Sequence, residues 1–511
     1  MIFADTTLVW VAWMSVAALL QVAICKLDLL WRFRRGLGGV VAALYIVSLP
    51  LLATTQLRPW AGLGIFTVTL FLIVNALRLW MNRFHEVYLR RAVPLNVWWL
   101  GGMLTVLAGS SELISHGYWH LTPYYAVGFS LSVSAVLGVF MFGRALVSLR
   151  RYRATPVKPL TREHDLPTVT LAIPARNETH ALEEMLTQAI TSDYRKLEIL
   201  VLDDCSQDAT AAVIRNFAQD GVRFVQGELP ADGWLGKNYA CNTLAAEASG
   251  DLIIFAGVDT HFDPQSISRM VSYMVHEKTE MLSVLPSRRQ FDLAPTFFEQ
   301  LRNFWQIVLP ISRRHVPISS PCWAIWSDSL RRLGGFGAYK SSVFPEVHFA
   351  QALRPKHGYR FVLSDTTLGV TTRKRLSSQL ETATRTFYPA LKRRPALVLL
   401  ATTLFATLLL LPYVILLWQL AHGPVNALTP FAAIAVLSFT LTHLAILRVT
   451  APNGWWVGVI NFPILVVFEI LLYDWSMLQF EFGEVNWKGR NVCYPIMEAI
   501  PMEKFTATIR D

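Results

Sequence analysis

The chain predicts an α/β domain with a Rossmann-like, mostly parallel sheet, inserted between two bundles of transmembrane helices. Three observations carry that prediction. The composition, 53% hydrophobic and only 16% charged, is too apolar for an ordinary soluble protein, and the excess sits in the first 150 residues and again from Ala396 to about Trp475. The charged block between these sections alternates strand and helix signals. Within that block, the apolar run Leu252–Ala256 switches abruptly to Asp259 and His261. Ligands of a doubly wound sheet gather beyond the carboxyl ends of its strands, so chemistry is expected there.

The front section, residues 1–153, offers apolar runs at Thr7–Cys25, Gly38–Thr55, Ala61–Leu79, Val97–Gly109 and Tyr124–Gly143. All but the fourth approach the roughly 20 residues that cross hydrocarbon, and the fourth reaches that length only by including Glu112. Basic residues cluster after the first, third and fifth runs. By the positive-inside rule, five spans then place the N-terminus outside and the block after Arg153 in the cytoplasm. The first run has no basic region before it and no small-residue exit, so it is read as a retained span, not a cleaved signal.

The middle block, residues 154–394, predicts strands at Thr168–Ile173, Leu197–Leu202, Val222–Val225 and Asp251–Ala256. Helices are expected at Glu178–Thr191, Gln207–Ala218 and Asn238–Ala248. Ala294–Leu309 is a further helix, either in the core or on the membrane surface. The rear section, residues 395–476, holds runs at Ala396–Leu420, Ala427–Leu447 and Trp455–Tyr473, giving two to three helices, and residues 477–511 form a polar tail. Three full spans would put the tail outside. A tail near the cytoplasmic site instead requires one interfacial or re-entrant run, with Asn461-Phe-Pro463 the expected break. The formal charge of +10 lies mainly beside apolar segments and is assigned to membrane orientation, not nucleic acid. The five scattered cysteines fit a reduced compartment.

Four strand-end motifs carry candidate chemistry. Ile173-Pro-Ala-Arg-Asn-Glu178 opens a helix, with Asn177 able to cap it and Arg176 suited to a nucleotide; simple capping explains the stretch as well. In Val201-Leu-Asp-Asp-Cys-Ser-Gln-Asp208, Asp203 and Asp204 can accept hydrogen bonds from a base and a ribose, while Ser206 caps the next helix; the alternative is an acidic turn. Gly233-Trp-Leu-Gly-Lys237 allows close backbone approach and offers a cation to phosphate, or is an ordinary glycine turn. Asp259, with His261 two residues on, can hold a divalent cation against a diphosphate, or is a solvated strand end.

In this order the motifs resemble the family 2 glycosyltransferases of GT-A fold, and most closely their membrane-bound members that glycosylate lipids (ceramide glucosyltransferase-like, hopanoid-associated and carotenoid-glycosylating enzymes). The tail Val485-Asn-Trp-Lys-Gly-Arg490 resembles the W-K-G-R-x-Y ending of the bacterial group. The resemblance implies a UDP- or GDP-sugar donor, Mg²⁺ or Mn²⁺, and transfer with inversion to a lipid acceptor by an integral inner-membrane enzyme whose catalytic domain is cytoplasmic. It implies that Pro174, Arg176, Glu178, Asp203 and Asp204 bind the nucleoside and Lys237 the diphosphate. Trp487, Lys488 and Arg490 would close over the diphosphate or acceptor, or simply anchor the tail at the membrane. Asp259, with His261, would hold the metal. Pro345-Glu-Val-His-Phe-Ala350 aligns Glu346 with the family's catalytic base, His348 being the fallback, and Arg385 is what remains of the Q-x-x-R-W segment. The usual D-x-D has become Gly257-Val-Asp259, which removes one carboxylate. Two alternatives stand beside this: a processive polysaccharide synthase, and an inactive GT-A scaffold that binds or transports lipid.

Overall fold

The computed structural model describes residues 2–53, 59–80, 89–90, 93–94, 96–98, 100–104, 123–156, 160, 166–312, 315–423, 426–482, 485–488 and 490–491. In the front section, α1 (Ile2–Lys26), α2 (Arg34–Ala53), α3 (Pro59–Trp80) and α4 (Pro123–Arg151) occupy the first, second, third and fifth apolar runs. The fourth run is helical at 97–98 and 100–104, and the rest of it lies outside the described residues.

The α/β block then follows the predicted alternation: β1 (Val169–Ala175), α5 (Thr179–Ala189), β2 (Leu197–Asp203), α6 (Thr210–Asn216), β3 (Val222–Gln226), α7 (Gly236–Glu247) and β4 (Leu252–Ala256). β5 (Thr260–Phe262), α8 (Ser266–His276), β6 (Met281–Leu285), β7 (Cys322–Trp326), β8 (Tyr359–Leu363) and β9 (Val370–Thr372) complete its strands, with β5 and β9 paired as a separate ribbon. The main sheet runs β3-β2-β1-β4-β7-β6-β8. β7 alone runs antiparallel to both neighbours, and the other pairings are parallel. Every residue of β4 is buried, as a strand covered on both faces by helices requires. This is a mixed, mostly parallel GT-A-type sheet, flanked in sequence by apolar helices on each side.

The stretch read as one helix over Ala294–Leu309 is two, Leu293–Phe297 and α9 (Gln300–Val308), broken at Phe298–Glu299. α9 buries Leu301, Phe304, Ile307 and Val308. Its Phe304 and Trp305 rings pack on Phe462 and Phe405 of the rear helices, so it joins the α/β block to the apolar section. Beyond α10 (Pro345–Leu353) and α11 (Leu376–Ala390) come α12 (Pro395–Leu404), a π-helical turn at Phe405–Leu410, α13 (Leu411–His422), α14 (Thr429–Thr450) and α15 (Asn461–Phe482). α4 packs along α14, where a Cβ on Gly138 would come within 3.0 Å of the Ser438 Cβ; small residues there let the backbones approach.

Six described helices are long and apolar enough to cross a membrane, and α15 is one of them. Both of its ends are nevertheless tied to the α/β block. Asn461 Nδ2 donates to the Phe297 carbonyl at 3.2 Å, and Ser476 Oγ donates to the Thr384 carbonyl at 2.5 Å. The expected break at Asn461-Phe-Pro463 is the point where a 3-10 turn, Pro452–Val459, gives way to α15. The last rear run therefore packs along α11.

Candidate active site

The strand register sets the site. Ala175 pairs with Asp203, and Asp203 with Gln226, so β1, β2 and β3 end level. Arg176 and Asp204 follow directly, and the loop after β4 carries Asp259. Asp203, Asp204 and Arg176 are all buried at that edge, and Pro174 precedes them half-buried on β1. A Cβ on Gly227 would sit 2.5 Å from the Asp203 carbonyl oxygen, so only glycine lets the chain after β3 pass behind the acidic pair.

Two local expectations are corrected. Asn177 does not cap its own helix: its Oδ1 accepts from the Gln207 N–H at 2.8 Å, and its backbone N–H donates to Ser206 Oγ at 3.0 Å. Ser206 therefore does not cap α6. The Thr210 hydroxyl in turn accepts from the Glu178 N–H at 2.8 Å. Asn177 and Cys205 both hold positive φ, 50° and 53°, so the β1 and β2 loops fold tightly onto each other.

The tail reaches the same edge. Arg176 Nε and Asn177 Nδ2 donate to the Lys488 carbonyl at 2.9 and 3.3 Å, and the Lys488 ammonium pairs with Glu178. Arg176 Nη1 also donates to the carbonyls of Asp204 and of Cys205, the latter at 3.0 Å. Residues 486–487 and 490–491 form a small antiparallel hairpin around this contact; the side chains of Trp487 and Arg490 lie outside those described.

Lys237 lies half-buried in the first turn of α7. The Asn238 amide donates to the carbonyls of Tyr339, Lys340 and Ser342 at 3.3, 3.0 and 2.8 Å, clamping that loop to the helix. Lys340 is thereby laid over the glycine turn, 3.3 Å from where a Gly233 Cβ would lie, which adds a second cation that no short motif announced. Burial pushes the Cys241 thiol up to about 12, with Lys237 opposing the rise and Glu346 and Asp204 adding to it.

Glu346 sits in the first turn of α10, 1% exposed, and accepts a hydrogen bond from Ser320 Oγ. The adjacent Pro321 carbonyl accepts from the Gly257 N–H at 2.9 Å and from Thr260 Oγ1 at 3.0 Å. Ser320-Pro321 thus bridges Glu346 to the Asp259 loop, a juxtaposition with no sequence signal because the bridge comes from the lead-in to β7. His348 stacks on Tyr339 at 4.4 Å and lies 3.1 Å from Ser342 Oγ. Arg385 is half-buried on α11, which packs against α15.

Asp259 is half-exposed, and its carbonyl accepts from the Arg373 N–H at 3.2 Å. His261 is buried in β5 with Nδ1 3.0 Å from Gln188 Oε1. Burial lowers its pKa, with Asp259 opposing. Among the described residues no three His, Cys, Asp or Glu side chains gather as a metal cage. A Mg²⁺ or Mn²⁺ ion shared with a diphosphate needs only one or two protein carboxylates, and Asp259 fits that demand.

Residues 170–331 match the family model described as glycosyl transferase family 2. With the sheet and strand-end loops described above, this part of the chain is a family 2 glycosyltransferase domain of GT-A fold. The chain is distantly similar to the 4,4'-diaponeurosporenoate glycosyltransferase of Staphylococcus haemolyticus (strain JCSC1435), 28% identical over 121 residues, 23% of this chain and 32% of the relative. The enzyme of the same name from Staphylococcus aureus (strain bovine RF122 / ET3-1) is 27% identical over 170 residues, 33% of this chain and 42% of the relative. The matched region thus spans less than half the length of these curated relatives. Among solved structures, a mannosyltransferase from Pyrobaculum calidifontis in complex with GDP-Man and Mn2+ aligns with 67% of this chain and 99% of that one, at 20% identity. The TM-score of that alignment is 0.40.

Proposed function

We propose that the protein is an integral-membrane, inverting glycosyltransferase that moves a sugar from a UDP- or GDP-sugar to a lipid acceptor at the cytoplasmic leaflet. The observation that carries this is the Ser320-Pro321 bridge, which sets a buried carboxylate, Glu346, beside the Asp259 loop at the sheet edge where nucleotides bind. Asp203, Asp204 and Arg176 hold the nucleoside, and Lys237 and Lys340 attract the diphosphate. Glu346 takes the proton from the acceptor hydroxyl as its oxygen bonds to the sugar's anomeric carbon, and the bond from that carbon to the diphosphate oxygen breaks. A divalent cation at Asp259 would neutralise charge on the leaving diphosphate. The names of the two staphylococcal relatives support a lipid-like acceptor.

Binding of UDP- and GDP-sugars to the detergent-solubilised protein, with and without Mn²⁺, tests the donor site. Binding is expected to depend on Mn²⁺ and to be lost in Asp259→Ala. In Glu346→Gln, binding should persist while transfer falls by about 10²–10⁴-fold. The missing carboxylate at Gly257 favours the inactive scaffold as the second reading, and binding of no sugar nucleotide would establish that reading instead.

A further inference from the structure

Arg176, Asn177 and Glu178, the three residues between β1 and α5, form a strip with two occupied sides. One side meets the β2 loop and the start of α6. Arg176 Nη1 donates to the Asp204 and Cys205 carbonyls, Asn177 Oδ1 accepts from the Gln207 N–H at 2.8 Å, and the Glu178 N–H donates to Thr210 Oγ1 at 2.8 Å. The other side meets one residue of the tail. The Lys488 carbonyl accepts from Arg176 Nε at 2.9 Å and from Asn177 Nδ2 at 3.3 Å, and the Lys488 ammonium pairs with Glu178. Three consecutive residues thus each hold a neighbouring segment with one group and Lys488 with another.

The tail is shaped for this contact. Lys488 stands at the tip of the hairpin made by 486–487 and 490–491, at φ 48°, a left-handed conformation that a lysine keeps only where its surroundings enforce it. The two hydrogen bonds use both lone pairs of its carbonyl oxygen. The root of the hairpin is fixed as well, because Val485 is buried in the apolar cluster that also holds Leu235 of the glycine turn. Arg176 is only 6% exposed. Withdrawing the tail removes the acceptor of its Nε, and a buried donor that loses its acceptor bears the full desolvation penalty.

We propose that Glu178 and Lys488 are positioning residues that seat the tail hairpin on the β1 loop, and that the seated hairpin holds Arg176 and Asn177 in the arrangement that binds the donor's nucleoside. The donor site is then complete only with residues 486–491 in place, although these lie far beyond residue 331, where the family match ends. The inference rests on the glycosyltransferase reading in taking the β1 loop as the nucleoside's. It differs from a direct role for Lys488 at the diphosphate, because the ammonium is engaged by Glu178.

The test uses the full chain in detergent with Mn²⁺, titrated with UDP-glucose and with GDP-mannose. Hydrogen–deuterium exchange of the peptides carrying 176–178 and 485–491 is followed in parallel without nucleotide. Glu178→Gln and Lys488→Met should each speed exchange in both peptides and weaken nucleotide-sugar binding roughly tenfold, the size of one hydrogen bond to a charged group. Exchange over β4 and α14 should stay as in the parent, which reports that the variants fold. Swapping the charges, Glu178→Lys with Lys488→Glu, should restore slow exchange and most of the affinity. A direct diphosphate role gives the opposite signs: Glu178→Gln would leave binding unchanged or tighter, and the swap, which sets a carboxylate against the diphosphate, would bind worst of all. Either of those results, or parent-like exchange in both single variants, overturns the proposal. If the parent binds neither nucleotide sugar, the transferase reading fails, while the exchange rates of the three variants still decide whether the ion pair seats the tail.

Discussion

At the residue scale, Gly257 stands where the proposed metal site lacks a second carboxylate. A Cβ built there would meet nothing nearer than the Pro321 carbonyl oxygen at 3.9 Å, so a side chain fits without disturbing the bridge to Glu346. Gly257→Asp should fold with an unchanged melting midpoint and lower the Mn²⁺ concentration needed for half-maximal donor binding; a titration of the two proteins side by side checks this. The histidines set a pH dependence. Burial lowers the pKa of His261, His315 and His348 below the ordinary value of 6.5, with Asp259 and Glu346 partly opposing at the first and last. The unfolded chain takes up protons near 6.5 that the folded chain refuses until lower pH, so stability is full above that value and falls as the pH drops below it. His348→Gln should therefore lose less of its thermal midpoint than the parent protein when the pH falls from 7.5 to 5.5.

At the scale of elements, a buried ion pair joins the end of α3 to the end of α15. Arg78 at the end of α3 and Glu481 at the end of α15 are both fully buried, with Arg78 Nε 2.6 Å from Glu481 Oε2. The Tyr388 hydroxyl donates to Glu481 at 2.6 Å, and Arg78 Nη2 donates to the Arg393 carbonyl at 2.8 Å. Elements from three distant parts of the sequence thus converge on a single carboxylate. Removing one partner strands a charge, whereas removing both leaves an apolar contact. Arg78→Met should cost about 3–5 kcal/mol, and Arg78→Met with Glu481→Leu should recover most of it, measured by unfolding in detergent. The apolar runs predicted these helices, but no pattern in them predicted which ends would meet.

At the scale of the whole molecule, the tail and the α/β block lie on one side of the apolar section, because the Lys488 carbonyl is bonded to Arg176 and Asn177. Counting the rear runs as three crossings gives the opposite side. Against that count stand the bonds of α15 to the α/β block, Asn461 to Phe297 and Ser476 to Thr384. Reporter fusions within the α/β block and after Asp511 should therefore report the same side of the membrane, and opposite sides would mean that α15 crosses.

The sequence by itself determined the strand and helix order of the middle block as far as β4, since buried strands there read as apolar runs, and it located Asp203, Asp204, Lys237 and Asp259 at strand or helix ends where a sheet presents them. It also marked the apolar stretches, whose composition is local. Only the tertiary structure decided that Ser320-Pro321 brings Glu346 to the Asp259 loop, that Asn238 lays Lys340 over the glycine turn, that Asn177 serves the neighbouring loop, and that α15 lies along the domain. Each of these depends on pairing between segments far apart in the chain, and hydrophobic periodicity, which reports only which face of an element is buried, carries no information about the partner that buries it.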